Sequence, residues 1–423
     1  MSTTNTIARI GILVGGGPAP GINSVIHAVT MEASRHRCEV TGIYDGFKHL
    51  MAGKLNSIPL TPERVEYIYL EGGSILHNAR ANPTTSPQLM QQCVTALRSA
   101  GIDALVSIGG DDTAFSASQV AKYAREVMGI DLRSVHVPKT IDNDLPLPGD
   151  IPTFGYETAR DLGARLVMNL KRDASTMRHW FLVLSMGRNS GHLALGIGQG
   201  SLPAVTLIPE EWSGRKVRLH EVVDILATTI MLRLVENKPY GVAVLAEGLL
   251  EHMAIEDLDA LKDVARDEHG HIRLPDVNFL DILKTEVDRE LATHGLKVKI
   301  VKHLLGYELR CAPPIAFDIE YTRILGTAAI DFLLQGGANA IITLQQGQVI
   351  PIPYDEMINP LTGRTAVRLV DRNSYRYHSA YQFMTRLKPE HAGDDALFAK
   401  LAVLAHTTPE ALRERYGYLM RDA

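Results

Sequence analysis

The stretch SVHVPKTIDND, Ser134 to Asp144, is a short apolar run that stops at a proline and gives way to polar, chemically capable side chains. An apolar run bounded in this way predicts a buried strand. Asp142 and Asp144 then flank Asn143 just past its carboxyl end, the edge where open α/β sheets place their ligands. Upstream, ALVSIGGDDTAFSASQVAKYA (Ala104 to Ala124) repeats the layout: an apolar strand, a glycine pair, an acidic pair, a hydroxyl and a helix. Two strands therefore end in acids at turns.

Nearer the N-terminus, Ile10 to Val14 runs into GGGPAPGIN (Gly15 to Asn23), and Ile22, Val25, Ile26 and Val29 follow at helical spacing. Gly16 and Gly21 have the GxxxxG spacing, but Ile22 and Asn23 stand where a P-loop needs Lys and Ser or Thr. That disfavours a Walker-type nucleotide site. Gly15, Gly17 and Gly21 are not spaced as GxGxxG, so a dinucleotide site lacks its main support. What survives is a Gly-rich turn, Gly16 within it, whose backbone N–H groups at a helix start suit phosphate.

Strand and helix patterns alternate from Glu39 to Val137, pause at PLPGDIP (Pro146 to Pro152), and resume from Glu157 to Leu245. The expected fold is α/β: two doubly wound, Rossmann-like, three-layer units facing a common cleft. Residues 1–150 form a first unit to which 310–385 return, residues 151–309 a second unit, and 386–423 a helical tail without a motif.

A length of 423 residues suits two cores. A formal charge of −5 argues against a polyanionic partner, so no nucleic acid is expected. Cys38, Cys93 and Cys311 are scattered and odd in number, which reads as a reducing, cytoplasmic setting. No stretch approaches the ~20 apolar residues of a spanning helix, and no membrane partner is expected. DEHGH (Asp267 to His271) has ligand-type residues but no second pair, and reads as a surface turn.

Each motif has an ordinary alternative. GGDDT (Gly109 to Thr113) can be a turn with an acidic helix cap, TIDND an Asx-type turn, and MGRNSG (Met186 to Gly191) a plain helix start. Together, GGDDT and PKTIDND (Pro138 to Asp144) resemble the 6-phosphofructokinase family, specifically its pyrophosphate-dependent branch, with further matches to about Arg310.

That resemblance implies reversible phosphoryl transfer from pyrophosphate to the 1-hydroxyl of fructose 6-phosphate, assisted by Mg²⁺. Asp142 would be the base, Thr140 and Asp144 its neighbours, and Asp111 the partner of Mg²⁺. Arg80 would meet the donor phosphates. Met186, Gly187 and Arg188 would lie against the sugar phosphate and the transferring group, and Glu247 would accept a sugar hydroxyl. Tyr307 and Arg310 in GYELR would hold the 6-phosphate, with Tyr307 departing from the histidine of many ATP-using relatives.

The donor rests on Asp112 and Lys139, where ATP-using relatives commonly carry glycine. The expected assembly is a homodimer or homotetramer, with Arg178 or His179 of a neighbouring subunit reaching the 6-phosphate. On the first helix, His27 and Met31 stand where bacterial ATP-using relatives present arginines to an effector, so allosteric control is expected to be weak. The rivals are an ATP-dependent phosphofructokinase, a NAD-kinase-like enzyme, which GGDDT alone permits, and a sugar-phosphate-binding subunit without catalysis.

Overall fold

The computed structural model describes residues 7–149, 151–257, 279–357 and 365–421. DEHGH lies outside the described residues. The described strands are β1 Arg9–Val14, β2 Glu39–Ile43, β3 Ser57–Leu60, β4 Ala104–Gly109, β5 Arg133–Pro138, β6 Trp180–Ser185, β7 Val205–Leu207, β8 Gly241–Ala246, β9 Ile300–Leu305, β10 Ala340–Gln345 and β11 Gln348–Pro353.

The first unit comprises Met1–Ala159 and Tyr307–Arg368. Its seven-stranded sheet has the order β11-β10-β5-β4-β1-β2-β3. The inner pairs are parallel, and β3 and β11 are antiparallel edges. β4 is buried at every position, as a parallel strand covered on both faces requires. One apolar layer joins Ile10, Ile12 and Val106 to Val25 and Leu325, while Leu13, Leu97, Leu105 and Val120 fill the other face. From β1 the chain first builds outward through β2 and β3, then returns to lay β4 on the other side. The carboxyl ends of β1 and β4 are therefore the topological switch point, the place such sheets reserve for ligands.

The second unit, Arg160–Gly306 and Leu369–Ala423, has a four-stranded parallel sheet in the order β7-β8-β6-β9. From β6 the chain lays β7 and β8 on one side and then crosses to lay β9, also parallel, on the other. The unit divisions differ from the sequence expectation at the C-terminal end. Residues 369–385 belong with the second unit, where the Val370 N–H donates to Glu210 at 3.0 Å and the Thr385 N–H to the Ala204 carbonyl at 2.7 Å.

Nor does 386–423 stand apart as a tail. Phe398, Leu401, Leu412 and Tyr416 complete the core that holds Trp180, Leu207 and Leu245. Arg415 clasps buried Asp224 through two bonds of 2.6 and 2.7 Å, and Tyr418 adds a third at 2.6 Å. Stripping this segment would expose apolar surface and leave Asp224 buried without its cation, a costly loss.

Candidate active site

In the first unit three strand ends carry the predicted residues. The helix Asp111–Glu126 follows β4 directly, and its N-cap is Gly110, with no side-chain cap. Asp111 and Asp112 thus occupy the first helical turn instead of capping it, where carboxylates are favoured by the exposed N–H groups. Buried Thr113 explains two glycines: a Cβ on Gly15 would sit 2.3 Å from its Oγ1, and one on Gly109 would sit 2.4 Å from its Cβ. The threonine wedges the turn after β4 against the turn after β1.

His136, fully buried in β5, steadies the same turn. Its Nε2 pairs with the Gly109 carbonyl at 3.0 Å and its Nδ1 with Ser107 Oγ at 2.9 Å. Burial pushes its pKa down to about 3, so the ring is neutral; the network assigns the proton to Nε2, which donates, while Nδ1 accepts.

Lys139 leaves β5 with only 5% of its surface exposed and donates from Nζ to the Gly17 carbonyl at 2.6 Å. Burial, then the charge of Arg310, pushes its pKa down to about 8, against the pull of Asp142, Asp144 and Asp111. Arg310 approaches Gly17 so closely that a Cβ there would lie 2.1 Å from Nη2. Its own pKa is lowered by burial and by Arg80. Its guanidinium carbon stands 5.5 Å from the Tyr307 ring centre, and Tyr307 is 60% exposed. Cationic Arg80, Lys139 and Arg310 and acidic Asp111, Asp142 and Asp144 are thus electrostatic neighbours at one sheet edge.

Asp111 is pushed up to about 6 by crowding of its surroundings, then by Asp112 and Asp144. Its side chain meets solvent at the first helical turn, beside the carboxylates of Asp112 and Asp144, which repel its charge. Oxygen donors that repel one another in this way fit a hard divalent cation. Thr140 Oγ1 accepts the Asp142 N–H at 3.0 Å, and Asn143 is left-handed at φ 57, so TIDND is a tight turn that holds both acids off the strand end.

The Gly16 N–H donates to the Ala79 carbonyl at 3.2 Å and its carbonyl accepts from Asn78 at 3.3 Å, which ties the turn after β1 to the residues that precede Arg80. The turn's contribution is to seat Lys139 and to admit Arg310.

In the second unit, Met186, Gly187 and Arg188 follow β6, and Glu247 follows β8. The Met186 N–H donates to the Leu305 carbonyl at 3.0 Å, that of Glu247 to Ser185 at 2.9 Å, and that of Gly248 to Gly187 at 3.1 Å. The four predicted residues accordingly cluster at the carboxyl ends of neighbouring strands. Contacts assign Tyr307 and Arg310 to the first unit, so Tyr307 lies outside the sugar-phosphate unit expected to contain it. Of the two residues proposed to reach a neighbouring subunit, His179 is turned inward, 3.0 Å from Asp173 and edge-on to Phe181. Arg178 is exposed.

Among the described residues no helix is long and apolar enough to cross a membrane. The phosphofructokinase family pattern matches residues 9–333. A pyrophosphate–fructose 6-phosphate 1-phosphotransferase of Thermotoga maritima is 46% identical over 416 residues, covering 97% of this chain and 98% of that one. A protein of the same name from Naegleria fowleri is 43% identical, covering 99% and 97%. An ATP-dependent 6-phosphofructokinase of Lactobacillus acidophilus is 36% identical over 249 residues, covering 59% of this chain and 72% of that one. In fold, a pyrophosphate-dependent phosphofructokinase of Marinobacter aquaeolei superposes with a TM-score of 0.68 at 18% identity, covering 88% of each chain. With its parallel sheets, its acidic strand ends and these relatives, the chain belongs to the phosphofructokinase family.

Proposed function

We propose that this chain is a pyrophosphate-dependent 6-phosphofructokinase. It transfers a phosphoryl group from pyrophosphate to the 1-hydroxyl of fructose 6-phosphate, giving fructose 1,6-bisphosphate and phosphate, and runs in both directions because the donor anhydride and the product ester are of similar energy. The observation that carries this reading is the buried ammonium of Lys139, tied to Gly17 and neighbouring Arg310 and the three carboxylates. A compact cation there holds a small polyanionic donor and offsets charge on the departing phosphate.

In this reading Asp142 takes the proton of the attacking hydroxyl, with Thr140 fixing its backbone and Asp144 beside it. Arg80 and Lys139 hold the pyrophosphate, and Asp112 excludes a larger nucleotide. Met186, Gly187, Arg188 and Glu247 bind the sugar phosphate, and Tyr307 and Arg310 its 6-phosphate. Members of this family generally work with a divalent metal; here Mg²⁺ is the ion, held by Asp111. When bound it neutralises charge on the phosphoryl oxygens.

We read the assembly as a homodimer or homotetramer in which exposed Arg178 serves a neighbouring subunit, and the setting as cytoplasmic, supported by three free cysteines. The test of the function runs the reaction both ways. Purified protein with Mg²⁺ should form fructose 1,6-bisphosphate from fructose 6-phosphate and pyrophosphate, and pyrophosphate from fructose 1,6-bisphosphate and phosphate. Formation of neither product would remove the reading.

A further inference from the structure

We propose that Arg368 is a positioning residue for the reaction, a clamp on the TIDND loop that sets where Asp142 stands; the proposal rests on the reading of Asp142 as the base. Arg368 lies beyond residue 333, where the family match ends.

Its guanidinium gathers one end of the loop. Nε and Nη2 donate to the Asn143 carbonyl at 3.1 and 3.0 Å, and Nη2 reaches Asn143 Oδ1 at 2.5 Å. The other prong takes the far end: Nη1 donates to the Ile151 carbonyl at 2.7 Å and, more weakly, to Gly149 at 3.4 Å. The backbone N–H of Arg368 adds a bond of 2.8 Å to the Asp144 carbonyl. One planar fork and one amide thus close the stretch from Asn143 to Ile151, between the residue that follows Asp142 and the return of the chain.

Asn143 is left-handed, a conformation that asparagine adopts more readily than other side-chain-bearing residues, and the clamp holds it there. Asn143 is buried, and its Oδ1 also accepts the Thr153 N–H at 3.0 Å. With the fork gone, its carbonyl would lose two donors, and the turn could relax toward a right-handed backbone that swings Asp142 away. Only a fork with several donors in one plane spans these acceptors; a lysine brings the charge without the geometry. A displacement of about 1 Å at a reacting group costs on the order of 10²-fold in rate.

The test uses full-length Arg368→Ala, Arg368→Lys, Asp142→Ser and the double variant Arg368→Ala/Asp142→Ser, with both substrates varied. Arg368→Ala should lower kcat about 10- to 100-fold and leave both KM values within about threefold, and added guanidinium ion should restore part of the loss. The double variant should be no slower than Asp142→Ser. If Arg368→Ala fails to fold, Arg368→Lys carries the test, with kcat about tenfold down and KM unchanged.

Full kcat in Arg368→Ala or Arg368→Lys, or a loss that multiplies onto that of Asp142→Ser, overturns the clamp. Full activity in Asp142→Ser removes the base assignment itself, so the two failures are told apart.

Discussion

The Lys139 ammonium donates to the carbonyl oxygen of Gly17 at 2.6 Å, joining the residue that leaves β5 to the turn that leaves β1. The bond solves a local problem, because a cation this buried needs an acceptor. It also aims the charge at the switch point of the sheet, where a donor phosphate would stand. Burial and the neighbouring charge of Arg310 push the pKa of Lys139 down to about 8.

Asp142→Ser should fold and bind sugar phosphate as the parent does while kcat falls about 10² to 10⁴-fold, the usual cost of losing a general base. Steady-state kinetics beside a fructose 6-phosphate binding isotherm decide it. A kcat within a few-fold of the parent would remove Asp142 from the role.

Asp112 should act as a gate. At ~4 Å and an effective dielectric of ~20, its carboxylate repels a nucleotide phosphate by about 4 kcal/mol. Even if solvent and ions halve that, ATP is disfavoured roughly 10- to 100-fold. Asp112→Gly should admit some ATP, whereas Lys139→Gly should chiefly lower turnover with pyrophosphate. ATP rates in the two variants, measured against the parent, distinguish the gate from a bystander.

Proton linkage gives a prediction for the metal. Burial, then the charges of Asp112 and Asp144, pushes Asp111 up to about 6 in the folded chain, against an ordinary 3.8. Between those values the folded state holds a proton that the unfolded chain has released, so this group's contribution to stability falls as pH rises through that window. A cation has to displace the same proton. Mg²⁺ affinity should weaken by up to about tenfold per pH unit below 6, with proton release on binding; calorimetry at pH 5 and pH 7 in buffers of different ionisation heat would measure both. At the other end, turnover should decline above pH 8 as Lys139 loses its charge, and Lys139→Arg should remove that limb.

Much of this was legible in the residues. β1, β4 and β5 are apolar runs because parallel strands are covered on both faces, and their ends could be read with them. The edge strands β3 and β9 escaped: SIPL and IVKHLL mix polar and apolar residues, as half-exposed edges do. The C-terminal helices showed as helices, but their place in the second core depends on Asp224 and Glu290, far away in sequence.

The bond from the Gly16 N–H to Ala79 is a contact that no local pattern reveals. Thr113 and His136 left a faint signal, a small residue facing two glycines and a histidine inside an apolar strand. Arg368 left none, since its acceptors, mostly backbone carbonyls, lie more than 200 residues upstream.

Effector control should be weak. The His27 ring is engaged with the Val65 carbonyl at 2.9 Å and tilted against Tyr69, and Met31 brings no charge. Sugar-phosphate saturation should be hyperbolic and unchanged by ADP or phosphoenolpyruvate. Sigmoidal curves relieved by ADP would contradict this.

The donor is the central claim, and one parallel assay addresses it directly. Wild-type protein with fructose 6-phosphate and Mg²⁺ is supplied with pyrophosphate or with ATP at equal concentration, and fructose 1,6-bisphosphate is followed. The account predicts rapid turnover with pyrophosphate and negligible product with ATP. Robust turnover with ATP and none with pyrophosphate would contradict it.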